Sequence, residues 1–180
     1  MLVLAGFDGR VICLISGGGS ALVPRPVEGV TLDDLQALTS ALLRAGATIV
    51  DINTIRKRLD RLKGGKLARL AAPARVVSLI LSDVVGDPLD IIASGVTSPD
   101  RSTYSDAMAI LEKYRLLPEV PPSILDLLSR GVRGLAPETP KPGDRVFARV
   151  DNLIIGSNRL ALDAAVKRAG ALDFQAEIIA

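Results

Sequence analysis

Residues 75–95 read RVVSLILSDVVGDPLDIIASG, and the reading of 75–82 decides the fold. RVVSLILS is a nearly unbroken run of aliphatic residues without alternation, the pattern of a strand buried on both faces of a parallel sheet. It stops at Ser82, and Asp83, Gly86, Asp87, Pro88 and Asp90 follow in a polar connection. Two other runs have the same form. Residues 10–15 (RVICLI) end on Ser16-Gly17-Gly18-Gly19-Ser20, and residues 152–156 (NLIIG) end on Ser157-Asn158. A fourth strand is expected over Phe174 to Ile179.

Helical patterns fall between these runs. Thr31 with Asp34 forms a capping pair for a helix over 32–45, and Gly46 closes it. Ile52, Ile55, Leu59 and Leu62 mark a second helix over 51–62, and a short one is expected over 66–71. Helices are also expected over 103–115, 123–130 and 159–169, with irregular chain over 132–149. Strands alternating with helices define an α/β fold with a parallel sheet. Such sheets take their ligands at the carboxyl ends of the strands, where polar loops recur in this sequence.

Composition sets the outer limits. The chain has 180 residues, 48% hydrophobic and 23% charged, with a net charge of +2 and a mean hydropathy of +0.35. This is the composition of a single domain with an aliphatic core, not of a disordered chain. No run reaches the roughly 18–20 apolar residues of a membrane span, and MLVLAGFDGR lacks the basic start of a signal peptide. A cytoplasmic protein with no membrane partner is expected. There is no histidine, which removes Ser-His-Asp and Cys-His catalysis and histidine-based metal sites. The single cysteine, Cys13, lies in an apolar run and reads as a small buried hydrophobe.

Four segments could carry chemistry. In Ser16-Gly17-Gly18-Gly19-Ser20, successive amides can converge on an anion, although a tight turn out of the sheet would look the same. The segment matches neither the P-loop nor GxGxxG nor GxSxG. Arg56, Lys57, Arg58, Arg61, Lys63, Lys66 and Arg69 face a single acid, Asp60. No aromatic residue interleaves them for base stacking, so no nucleic-acid partner is expected. Most read as a solvated helix face, with Arg56, Lys57 and Lys63 as candidates for a small anion. Asp83, Asp87 and Asp90 suit either a hydrated Mg²⁺ or an acid-rich turn with Asp90 as a helix cap. Ser157 and Asn158 suit an anion site or an ordinary N-cap.

Taken in order, LISGGGSAL (14–22), DINTIRKRLDRLKGGKLA (51–68), LILSDVVGDPLDIIASG (79–95), ETPKPGD (138–144) and IIGSNRLAL (154–162) resemble the glycerate 2-kinases whose second half is the MOFRL domain. The resemblance implies ATP-dependent, Mg²⁺-assisted phosphorylation of D-glycerate at its 2-hydroxyl. It also implies a Rossmann-like αβα sandwich with a mostly parallel sheet. Carried onto matching positions, Ser16, Gly17, Gly18, Gly19 and Ser20 would line the cleft, with Asn53, Lys63, Gly64, Ser157 and Asn158 as substrate or phosphate contacts. Arg56, Lys57 and Asp83 would be catalytic, and Asp83 and Asp87 would hold the metal.

The chain departs from the family pattern at Arg58 and Asp60, where relatives usually read His and Ser, and at Val96, where they read Pro. It also reads as the middle of a longer kinase, truncated at both ends and without the MOFRL domain, so little activity is expected of it alone. Two other readings stay open. A nicotinamide-dependent hydroxypyruvate reductase would want a dinucleotide fingerprint, and a non-catalytic anion-binding remnant would keep the fold without turnover. Association of identical copies is compatible with either.

Overall fold

The computed structural model describes residues 2–5 and 9–179, without the side chains of 2–5, 20 and 21. The elements are β1 (Leu2–Ala5), β2 (Arg10–Ile15), α1 (Gly19–Leu22), α2 (Leu32–Arg44), α3 (Ile49–Leu59), α4 (Lys66–Ala71), β3 (Arg75–Ser82), α5 (Tyr104–Lys113), α6 (Pro122–Val132), β4 (Val150–Ser157) and α7 (Asn158–Gly170). Short 3₁₀ turns occupy Ile92–Ser94, Leu117–Glu119 and Arg145–Arg149.

The sheet order is β1-β2-β3-β4, with β2, β3 and β4 parallel and β1 antiparallel to β2. β2 and β3 pair from Arg10 with Arg75 to Ile15 with Ile80. β3 and β4 stay in register to Ile80 with Ile154, after which Leu81 faces Gly156. Ile155 is therefore an extra residue, a bulge of a kind rare between parallel strands.

β3 is not buried on both faces as its sequence suggested: its buried residues alternate with more exposed ones, which separates two faces of the sheet. Cys13, Ile15, Val76 and Ile80 turn inward and pack with Leu62, Ile92 and Val96. Ile12, Leu14, Leu81 and Leu153 stand on the more exposed face. A second core lies away from the sheet, where Leu38, Leu42, Ile55, Leu59, Leu111, Ile124 and Leu128 join α2, α3, α5 and α6. The ends of these helices follow local chemistry. Thr31 and Asp34 form the expected capping box of α2, and Thr103 with Asp106 forms another on α5. Gly131 lets α6 touch Tyr104, since a Cβ there would lie 2.1 Å from the ring.

Two further expectations are corrected. Phe174 to Ile179 form no strand: the Phe174 amide closes the end of α7 on the Ala169 carbonyl at 3.0 Å, and among the described residues the segment pairs with no strand of the sheet. The solvated face read for Arg58, Arg61, Lys66 and Arg69 holds for Arg61 and Arg69 and fails for Arg58, which is fully buried, and for Lys66, which is partly buried. Lys57 and Lys63, read as candidates for a small anion, are buried as well.

Candidate functional site

The parallel strands bring their carboxyl ends to one edge of the sheet, and three of the polar loops meet there. Gly17 follows β2 so closely beside the loop after β3 that a Cβ on it would lie 1.9 Å from Oδ2 of Asp83. Asn158, at the start of α7, donates from Nδ2 to the Asp83 carbonyl at 3.4 Å. Ser157 caps α7 by accepting from the Leu160 amide at 3.3 Å. Gly18 has a left-handed backbone and stands at the N-cap of the one-turn helix α1, which places Gly19 inside that turn. Ser16 and Asp83 are exposed, whereas the side chain of Ser20 lies outside the described residues.

A second group is assembled on α3 and the Gly64-Gly65 turn. Asn53 is 5% exposed and accepts from the Ser94 hydroxyl at 3.0 Å. The amides of Gly64 and Gly65 donate to the carbonyls of Ser94 and Gly95 at 3.0 and 2.7 Å, which fixes the basic turn against residues 92–97. Lys57 reaches Asp100 at 3.3 Å and lies 4.0 Å from Asp90. That contact links the second group to the loop bearing Asp83 and Asp87. Asp90 caps no helix and stays exposed. Asp87 has a left-handed backbone, with φ 53°, and its amide donates to the Val84 carbonyl at 3.1 Å.

The cations differ in how much charge they have left to offer. Lys63 donates to Asp60 at 2.7 Å inside the protein, so its charge is already matched. Lys66 donates to the Asp60 carbonyl at 2.8 Å, and burial pulls its ammonium down to about 8. Arg56 forms no hydrogen bond or ion pair among the described residues. Burial lowers its pKa, and it opens on a cavity of about 550 Å³ between α2, α3 and the chain after α1. Leu22, Leu32, Leu35 and Leu59 make the cavity's walls largely apolar, and of its charged lining residues Lys63 is paired with Asp60, which leaves Arg56 as the unmatched charge. An unmatched guanidinium in that setting favours an anion.

Sequence reasoning noted Asp60 as the one acid of this basic segment but missed Asp100, the second carboxylate that organises it. Asp60 accepts from the amides of Arg25 and Leu62 and from the Lys63 ammonium. Asp100 accepts from Lys57 and Arg58. Burial raises the pKa of Asp100, but Arg58 and Lys57 outweigh it and hold the carboxyl below its usual range. Among the described residues, no cluster of three or more His, Cys, Asp or Glu forms a metal cage.

The fold and its strand-tip loops define an α/β protein in which Gly17, Asp83 and Asn158 meet at the carboxyl edge of a parallel sheet. The chain belongs to the family described as a domain of unknown function, DUF4147, which matches residues 4–129 and forms the N-terminal region of glycerate kinases. It is 49% identical to a glycerate kinase of Macaca fascicularis over 96% of this chain and 42% of that protein. It is 46% identical to a D-glycerate 2-kinase of Thermotoga maritima over 94% of this chain and 37% of that one. The crystal structure of glycerate kinase from Thermotoga maritima superposes with a TM-score of 0.80, at 46% identity, over 94% of this chain and 38% of that one. The chain thus spans well under half the length of these relatives.

Proposed function

We propose that this chain belongs to an ATP-dependent kinase that phosphorylates D-glycerate at its 2-hydroxyl. The observation that carries the reading is the meeting of Gly17, Asp83 and Asn158 at one sheet edge. It occurs in a chain whose relatives are named glycerate kinases. Phosphoryl transfer asks a protein mainly to position its reactants and to neutralise spreading negative charge.

The amides of Ser16, Gly17, Gly18, Gly19 and Ser20 would bind phosphate oxygens, with Ser157 and Asn158 adding donors from the neighbouring strand tip. Arg56 and Lys57 would offset the charge that grows on the transferred group. Asn53, Lys63 and Gly64 would hold that wall of the site in shape. The attacking 2-hydroxyl oxygen forms its bond to the γ-phosphorus as the bond to ADP breaks, and the hydroxyl proton would pass to Asp83. Mg²⁺ fits this donor set. Asp83 is exposed beside the glycine loop without an ion-pair partner among the described residues, and Mg²⁺ is usually held by one or two carboxylates together with substrate phosphates. Asp83 and Asp87 would hold it, and when bound it would neutralise charge on the phosphate oxygens.

Calorimetry on the purified chain tests this reading. ATP with Mg²⁺ is expected to bind, and Arg56→Met is expected to weaken that binding about tenfold. Tighter binding of NADPH than of ATP would favour the reductase, and binding of neither would favour an anion-site remnant.

A further inference from the structure

α3 carries two successive cations into the interior beside a single carboxylate. Arg58 is fully buried, and Asp100 and Lys57 are 1% and 5% exposed. Oδ2 of Asp100 accepts from Arg58 Nη1 at 2.8 Å and from the Thr139 hydroxyl at 2.9 Å. Oδ1 accepts from the Ser102 hydroxyl at 2.7 Å, the Ser102 amide at 3.1 Å and Lys57 Nζ at 3.3 Å. A carboxylate offers about four lone-pair sites, so this one is saturated, and Lys57 has the longest of its bonds.

The two cations are held very differently. The Arg58 guanidinium also donates to the Thr54 carbonyl and the Ser102 hydroxyl, lies 3.5 Å from Glu138, and sits over the Tyr104 ring. Its planar fork is committed on every side except Nε, which has no partner. Lys57 ends a flexible stem and has Asp90 on its outer side at 4.0 Å, in the exposed loop that also carries Asp83 and Asp87. With Glu138 beside Arg58 and Asp90 beside Lys57 the charges of the row are matched, but Lys57 is the cation held most loosely, through the longest bond to Asp100 and a 4.0 Å approach to an exposed acid.

We infer that Arg58 is a positioning residue for the anion site. By neutralising Asp100 it leaves the Lys57 ammonium available toward the 83–90 loop, where a phosphate group competes with Asp90 for it. The inference rests on the phosphoryl-transfer reading for what the ammonium meets, but the Arg58–Asp100–Lys57–Asp90 row is observed independently of that reading.

The test compares R58M, R58K, D100N and the double variant R58M/D100N in the full chain, reading ATP affinity by calorimetry beside thermal stability. With Arg58 removed, Asp100 captures Lys57, and R58M weakens ATP binding about tenfold. R58K restores affinity to within about threefold of the unaltered chain. D100N lowers stability yet leaves ATP affinity equal or higher, because the competing carboxylate is gone. The double variant removes both members of a buried pair, which proteins tolerate better than removal of one, and binds ATP like the unaltered chain. If R58M and D100N weaken ATP binding alike, in step with stability, the role is structural and the inference is overturned. If the unaltered chain binds no ATP, the kinase reading fails, and crystal structures of the variants decide the positioning role. Lys57 drawn onto Asp100 and away from Asp90 in R58M supports it, and an unmoved Lys57 overturns it.

Discussion

At Gly17 the difference of one methyl group reaches the site directly. No strained backbone demands glycine there, since its φ lies outside the left-handed region. What demands it is the Asp83 carboxylate, 1.9 Å from where a Cβ would stand. Gly17→Ala is therefore expected to leave stability within about 1 kcal/mol, because the displaced group is the end of an exposed side chain. Mg²⁺-dependent ATP affinity should fall about tenfold, and paired denaturation and calorimetry check both halves. The sequence singled out Gly17 and Asp83 separately, from two loops after two strands. It could not show that they touch, because that contact depends on strand order. Arg58 was misread for a related reason, since its counter-charge, Asp100, lies 42 residues away.

Elements with a local signal were the readable ones. Residues 10–15 and 75–82 form strands with the expected ends, and Thr31 with Asp34 opens α2 as its spacing predicts. Phe174 to Ile179 have strand-like composition but no pairing edge, and composition alone does not make a strand. β1 was missed because four residues carry too little periodicity to separate from a tail. The contact of α5 with α6 through Tyr104 and Gly131 left no sequence signal, and the helix expected over 123–130 stops one residue short of that glycine. Gly131→Ala should gain up to about 1 kcal/mol of helix propensity and lose about 1–3 kcal/mol to the clash with the buried ring. A net loss of about 1–2 kcal/mol in urea denaturation is expected, and a gain in stability would mean that Tyr104 can move aside.

For the molecule as a whole, charge burial sets the response to pH. The Asp100 carboxyl is below its usual range despite burial, held there by Arg58 and Lys57, and Glu138 is lowered likewise by the Tyr104 amide and Lys141 against its own desolvation. The unfolded chain therefore binds more protons in acid, and stability is lost as pH falls below about 4. Lys66 acts in the same direction at the other end of the scale. Burial lowers it from 10.5 to about 8, so from about 8 to 10.5 the unfolded chain again holds more protons and folding gains as pH rises. The stability advantage of the unaltered chain over Lys66→Met should grow by about 1–2 kcal/mol across that window, allowing for a side chain that still meets water. Urea denaturation at pH 7.5 and 10 measures it, and a flat difference would place the ammonium in solvent. The extra residue at Ile155 has a consequence of its own. A strand reverses facing at each step, so if Ile155 took a regular place in the ladder opposite Leu81, Gly156 would face Ser82 and Ser157 would fall out of phase with it. The hydroxyl would then point to the reverse side of the sheet. The bulge in β4, as much as the chemistry of its tip, decides which side of the protein that tip serves.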